Sequence, residues 1–224
     1  MIGQQRVRIK ICGITRSEDA ACAVQAGVDA LGFIFIKDSK RYIDPEEARN
    51  IIAQLPPFVD IVGVFVDKKR GELEEIIDYC QLDLAQLHGE ESPKYCERLR
   101  RQASPCQVLK AFAVNDELTP EKIEPYKPHV KGFLLDTYQK GLAGAAGKVF
   151  DWSMIKKLYL QKPFLLSGGL TVENITQALE SAAPYAVDAN SGLERAPGIK
   201  DEQLVKAFIR KVRQYEERVL VGKD

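Results

Sequence analysis

Long apolar runs are missing from this chain. No stretch approaches the roughly 18 consecutive apolar residues of a membrane span, and the amino terminus lacks the apolar core of about 7 to 15 residues that marks a signal peptide. Histidine is scarce: only His88 and His129 occur, which makes a histidine-rich metal site improbable. Net charge is absent too, with 32 basic against 32 acidic residues, so no strong overall field draws nucleic acid or an acidic membrane surface. The five cysteines, Cys12, Cys22, Cys80, Cys96 and Cys106, are odd in number and form no C-x-x-C pair. That pattern reads as reduced thiols in a cytoplasm. Nucleotide signatures fail as well. Gly141, Gly144 and Gly147 precede Lys148, but Val149 stands where a P-loop needs serine or threonine, and no G-x-G-x-x-G follows the first strand. Neither a metal nor an organic cofactor is called for.

What the chain does have is alternation. Apolar, β-branched runs near Val7–Cys12, Asp29–Ile36, Asp60–Val66, Leu84–His88, Gln107–Ala113, Lys131–Asp136, Phe164–Ser167 and Tyr185–Ala189 are each followed by a helical pattern. Helix signals punctuate them. Thr15 and Glu18 have capping-box spacing, Gly27 stops the first helix, and Asp44-Pro45 reads as a cap with proline in the first turn. Helices are also expected near Pro120–Tyr126 and Trp152–Leu160, and Thr171 is expected to cap a helix carrying Val172, Ile175 and Leu179 on one face. Eight strand-then-helix units over residues 1–224 suit a single-domain (β/α)8 TIM barrel, although an open doubly wound sheet shows the same alternation.

In such a barrel the carboxyl ends of the strands open on one mouth, where the chemistry sits. Cys12 ends the first strand within Lys10-Ile11-Cys12-Gly13-Ile14-Thr15, and Asp136 ends the sixth. They are the candidate base and acid. Bland readings stand beside them: a buried core thiol for Cys12, a loop cap for Asp136. Gln86 and His88 alternate onto one strand face and are candidates to line the pocket, with a structural role equally open for His88. Ser167-Gly168-Gly169-Leu170-Thr171 follows the seventh strand, and Asp188-Ala189-Asn190-Ser191-Gly192 follows the eighth. Glycines let backbone N–H groups approach an anion, and a helix N-terminus adds a favourable dipole, so these two loops describe a phosphate cup.

The ordered set KICGIT, ALGFIF with SKRYI, QLHG, LLDT, GKVFDW, LSGGL and VDANSGLE resembles the phosphoribosylanthranilate isomerases of tryptophan biosynthesis over nearly the whole chain. The resemblance implies an Amadori rearrangement of N-(5-phosphoribosyl)anthranilate to 1-(2-carboxyphenylamino)-1-deoxyribulose 5-phosphate, with no cofactor. It implies Asp136 as general acid on the furanose ring oxygen and Cys12 as general base at C2. It further implies Arg41 on the anthranilate carboxylate, and Gly168, Gly169, Ser191 and Gly192 around the phosphate. Arg41 alone also reads as a surface charge or a phosphate ligand. The expected partner is a small phosphorylated substrate, with monomer and homodimer both open. A related sugar-phosphate barrel enzyme and a noncatalytic binding barrel are the competing classes.

Two expectations concern tuning. A free thiol has a pKa of about 8.5 and an aspartic acid one of about 3.9, so both groups need shifting toward neutrality. Lys10, two residues before Cys12 on the same strand face, is placed to favour the thiolate. The sixth loop departs from the family's usual Gly-Gly-Thr-Gly-Lys, reading Gly144-Ala145-Ala146-Gly147-Lys148, and Asn190 stands where small residues such as serine are common.

Overall fold

A computed structural model describes residues 6–136 and 152–221. The Gly144–Lys148 departure therefore lies outside the described residues. Eight strands pair in parallel and in sequence order: β1 (Arg8–Cys12), β2 (Ala30–Ile34), β3 (Asp60–Phe65), β4 (Leu84–Leu87), β5 (Gln107–Ala113), β6 (Gly132–Asp136), β7 (Phe164–Ser167) and β8 (Ala186–Ala189). β8 returns to pair with β1, through Lys10 opposite Asp188, and closes the barrel. The open-sheet alternative is thereby excluded.

Closure explains why the strands read as nearly unbroken apolar runs. Both faces of every strand are buried, one against the outer helices and one in the lumen. Ile9, Ile11, Leu31, Phe33, Phe65 and Leu87 point outward into the main core. Leu109, Ala111, Leu134, Leu165 and Ala186 fill the bottom of the lumen, while Cys12, Ile34 and Val64 form a separate apolar group. The polar residues Lys10, Gln86, Ser167 and Asp188 are also buried on these strands.

The helices are α1 (Ser17–Gln25), α2 (Pro45–Ile52), α3 (Arg70–Cys80), α4 (Pro93–Gln102), α5 (Pro120–Ile123), α6 (Ile175–Ala182) and α7 (Glu202–Val221). Asp44 caps α2 as expected, its side chain accepting from Glu46 N at 3.0 Å. The capping box at Thr15 does not form. Arg16 occupies the cap position without a side-chain bond, and the Thr15 hydroxyl donates to Gly198 O at 2.5 Å, tying the β1–α1 loop to a distant hairpin. Thr171 likewise precedes its helix. Its hydroxyl accepts from Glu173 N at 3.2 Å, and α6 proper starts after Asn174. The helix expected over Pro120–Tyr126 is one α-turn followed by 3-10 structure at Glu124–His129, because Pro125 and Pro128 supply no N–H. Trp152–Leu158 is also 3-10. The sequence patterns did not separate a hairpin after β8, β9 (Glu194–Ala196) with β10 (Ile199–Lys200). Among the described residues no helix is long and apolar enough to cross a membrane.

Three buried thiols outside the lumen carry a stability consequence. Burial pushes Cys80 and Cys96 up to about 11 and Cys106 up to about 12, from an ordinary 9.0. Unfolded thiols ionise first as pH rises, so the stability these groups contribute is complete below about pH 9 and is lost progressively as pH climbs through their folded values. Thermal unfolding followed from neutral to alkaline pH should show a midpoint that declines in that window, and Cys106→Ala should decline less steeply. Identical slopes would contradict the assignment.

Candidate active site

Cys12 ends β1 with its side chain at the lumen mouth, opposite Gly32 of β2. It is 4% exposed. Burial pushes its thiol above the ordinary value, and the charge of Lys10 pulls it down by less, with Asp188 adding to the rise. The expected depression toward neutrality is thus corrected: Lys10 acts in the foreseen direction, but desolvation wins.

Behind Cys12 lies a buried ion pair. Lys10 Nζ donates to Asp188 Oδ1 at 2.8 Å, and the Ser167 hydroxyl donates to Asp188 Oδ2 at 3.0 Å. These side chains come from β1, β8 and β7, so the closing seam of the barrel assembles the network. Each oxygen of Asp188 thus accepts a hydrogen bond within the lumen.

Asp136 ends β6, paired with Ala113 and Ser167, and is partly exposed at the same mouth as Cys12. His88 Nε2 lies 3.4 Å from Asp136 Oδ2. Gln86 Nε2 and His88 Nδ1 are 3.3 Å apart, which joins the two expected pocket residues of β4 in one line ending at the carboxylate. Gln86 Oε1 is buried with no hydrogen-bond partner among the described residues.

The two late loops meet as expected. Gly168 and Gly169 adopt φ of +96° and +66°, values that glycine tolerates and other residues rarely reach. A Cβ at Gly192 would stand 2.1 Å from Leu170 O, so only glycine lets the loop after β8 lie against the loop after β7. Asn174 braces the first loop, accepting from Thr171 N and donating to Gly169 O, both at 2.9 Å. Gly169 and Ser191 are exposed on the resulting rim.

Arg41, in the loop between β2 and α2, is not a solvated surface charge. It grips Glu194 through Nε and Nη2 at 2.7 to 3.0 Å, and the buried Lys200 reaches the same carboxylate at 2.9 Å. The two cations hold Glu194 below the ordinary carboxylate range despite its burial. Asn190 is turned into this cluster rather than toward the glycine rim, its Oδ1 accepting from Lys200 Nζ at 3.0 Å. A Cβ at Gly13 would lie 2.6 Å from Asn190 Oδ1 and 2.9 Å from Arg41 Cδ, which places the cluster directly against the loop after Cys12. Ser167, read in sequence only as the start of the loop after the seventh strand, turns out to be a partner of Asp188. Glu194 closes the VDANSGLE stretch but had no role assigned, and Lys200 carried no signal, because only the hairpin fold brings the two inward.

Among the described residues no group of three or more histidine, cysteine or acidic side chains is arranged to hold a metal. What the mouth offers is groups able to exchange protons: a thiol, and a carboxyl beside an imidazole, on the same end of the barrel as the glycine-lined rim.

Residues 9–211 match the family model described as N-(5'phosphoribosyl)anthranilate (PRA) isomerase. The N-(5'-phosphoribosyl)anthranilate isomerase of Pseudomonas putida (strain GB-1) is 46% identical over 208 residues, 93% of this chain and 98% of that protein. A solved phosphoribosyl anthranilate isomerase in complex with reduced 1-(o-carboxyphenylamino)-1-deoxyribulose 5-phosphate superposes with a TM-score of 0.81 at 42% identity, covering 93% of this chain and 99% of its own. A structure of monomers derived from the dimeric enzyme of Thermotoga maritima gives 0.79 at 40% identity, with the same coverage of both chains.

The glycine rim yields a direct test. Gly169→Asp puts an unfavourable charge and a strained side chain at φ +66°, and should weaken binding of a phosphorylated ligand by about tenfold or more, roughly 1.4 kcal/mol, in a calorimetric titration. Unchanged affinity would place the anion elsewhere.

Proposed function

Because the chain belongs to the N-(5'-phosphoribosyl)anthranilate isomerase family, it converts N-(5-phosphoribosyl)anthranilate to 1-(2-carboxyphenylamino)-1-deoxyribulose 5-phosphate in tryptophan biosynthesis, and we propose that Cys12 and Asp136 perform its proton transfers. The observation that carries this assignment is that both side chains end barrel strands on one mouth, beside the glycine loops after β7 and β8. Asp136 gives a proton to the furanose ring oxygen as the C1–O bond breaks, and the nitrogen lone pair forms the iminium. Cys12, as thiolate, then takes the proton from C2. The C–H electron pair becomes the C1=C2 bond of an enolamine, and tautomerisation gives the ketose.

The other side chains follow from position. His88 orients the Asp136 carboxyl from 3.4 Å, with Gln86 behind it. Gly168, Gly169, Ser191 and Gly192 cradle the phosphate. Arg41 meets the anthranilate carboxylate: Nε and Nη2 are committed to Glu194, while Nη1 makes no hydrogen bond among the described residues. Asn190 and Asp188 support the site through Lys200 and Lys10. The barrel, residues 1–224, acts as one catalytic domain without a cofactor, and its unpaired thiols suit the reducing cytoplasm.

A homodimer is part of the same proposal. Phe58, between α2 and β3, is 99% exposed at φ +70°, an apolar side chain held in an unfavourable conformation after Pro56 and Pro57. A second copy covering this loop accounts for the exposed ring, and the Thermotoga maritima enzyme is dimeric. Sedimentation should give a dimer that Phe58→Glu dissociates; a monomeric wild type, or a dimer insensitive to the change, would remove the idea.

For the chemistry, substrate generated in situ is followed by loss of its fluorescence. Cys12→Ser and Asp136→Asn should each lower kcat/KM by about 10² to 10⁴ while still binding a phosphorylated product analogue. Undiminished turnover in both variants would refute the assigned roles.

A further inference from the structure

Lys10 takes no part in the proposed proton transfers, yet it lies buried directly beneath the thiol on the same face of its strand. Lys10 is 2% exposed, deep enough that an ammonium there is heavily desolvated, and a methionine of similar length would pack without that penalty. Its carboxylate partner, Asp188, makes the charge tolerable. What gives it a use is Gly32. A Cβ built on that residue would stand 2.8 Å from Cys12 Sγ, 2.9 Å from Lys10 Nζ and 3.1 Å from Cys12 Cα. Glycine weakens a strand interior and often marks a close approach. Here it leaves open the space that sulfur and ammonium both border.

We propose that Lys10, anchored by Asp188 and admitted by Gly32, is the positioning residue that stabilises the Cys12 thiolate. This rests on the reading of Cys12 as the base and says how a buried thiol can serve. Lys10 exchanges no proton with substrate; its charge favours S⁻ over S–H, and the C2 proton passes only to sulfur. Four charged groups act on Cys12. Lys10 from β1 and Lys200 from β10 favour the thiolate, Asp188 from β8 opposes it, and Arg41 from the β2–α2 loop is electrostatically coupled to the sulfur across the Gly13 turn. Lys200 and Arg41 share Glu194, which leaves their charge largely balanced. Lys10 is the largest favourable influence on the sulfur, greater than the opposing effect of its own partner Asp188.

The test compares wild type, Lys10→Met, Lys10→Arg and Gly32→Ala by two readouts across pH. One is the ultraviolet absorbance of the Cys12 thiolate, taken as the difference from Cys12→Ser; the other is kcat/KM. Lys10→Met should move both the thiolate titration and the rate limb upward by about one pH unit or more, so kcat/KM below the limb falls about tenfold or more. Lys10→Arg should restore part of the shift. Gly32→Ala, which keeps every charge and wedges the pair apart, should move both readouts the same way. Lys10→Met leaves Asp188 unpaired, and if it fails to fold, Gly32→Ala decides the matter. Titrations and limbs that stay at the wild-type position in the folded variants overturn the proposal, whatever happens to stability or to the maximal rate. Wild-type turnover by Cys12→Ser would instead remove the base assignment, and the absorbance titration would still report the coupling of Lys10 to the sulfur.

Discussion

Lys10 and Asp188 stand 178 residues apart in sequence and 2.8 Å apart in space, both almost entirely shielded from water. Two such charges are tolerated only together. Removing one partner from a buried pair typically destabilises by about 3 to 5 kcal/mol, because the survivor is left uncompensated. The pair forms only when β8 closes on β1 in the register that sets Lys10 opposite Asp188. A slip of one residue would turn one of them outward into the apolar layer beneath the helices. Register, closure and the polar floor of the mouth are therefore one constraint. Cys12, one inward position above Lys10, takes its place from it.

The strands were legible because parallel barrels bury both faces of every strand, and buried β-branched runs of four to seven residues stand out between polar helices. Strand-end residues were legible for the same reason: Cys12 and Asp136 are where the apolar run stops. Local helix chemistry was less reliable. Asp44-Pro45 capped as written, whereas Thr15 and Thr171 had competing partners in Gly198 and Glu173 that only tertiary structure or the exact turn could reveal. Arg41 could be singled out from its SKRYI segment, but its pairing with Glu194 and Lys200 could not be read. The three lie on a loop and a hairpin joined by nothing local, and a charged residue on a loop reads as solvated until the fold covers it.

That cluster has its own logic. A guanidinium facing a carboxylate-bearing ligand is useful only if it is aimed, and arginine's side-chain freedom works against aiming. Glu194 fixes two nitrogens of Arg41 in a fork, Lys200 fixes Glu194, and Asn190 fixes Lys200. The hairpin that carries Glu194 and Lys200 is itself tied to the β1–α1 loop through Thr15 and Gly198. Fixing the cation thus also fixes the turn at Gly13 that follows the thiol.

The raised thiol of Cys12 then becomes intelligible as a balance. Burial reduces the fraction of thiolate at neutral pH, but a thiolate with a higher pKa is a stronger base per molecule, and proton transfer follows Brønsted behaviour. In the proposed mechanism the proton that Cys12 removes sits on C2, beside the iminium carbon, whose positive charge already acidifies it. A base too weak would gain population and lose driving force; one too strong would almost never be ionised. Shielding lifts the pKa, the lysine ammonium restrains it, and Asp188 limits how far the ammonium can do so. Because the same carboxylate holds the lysine in place and opposes it electrostatically, position and strength of the proposed base cannot be adjusted separately, which ties the proposed chemistry of the mouth to the seam that closes the barrel.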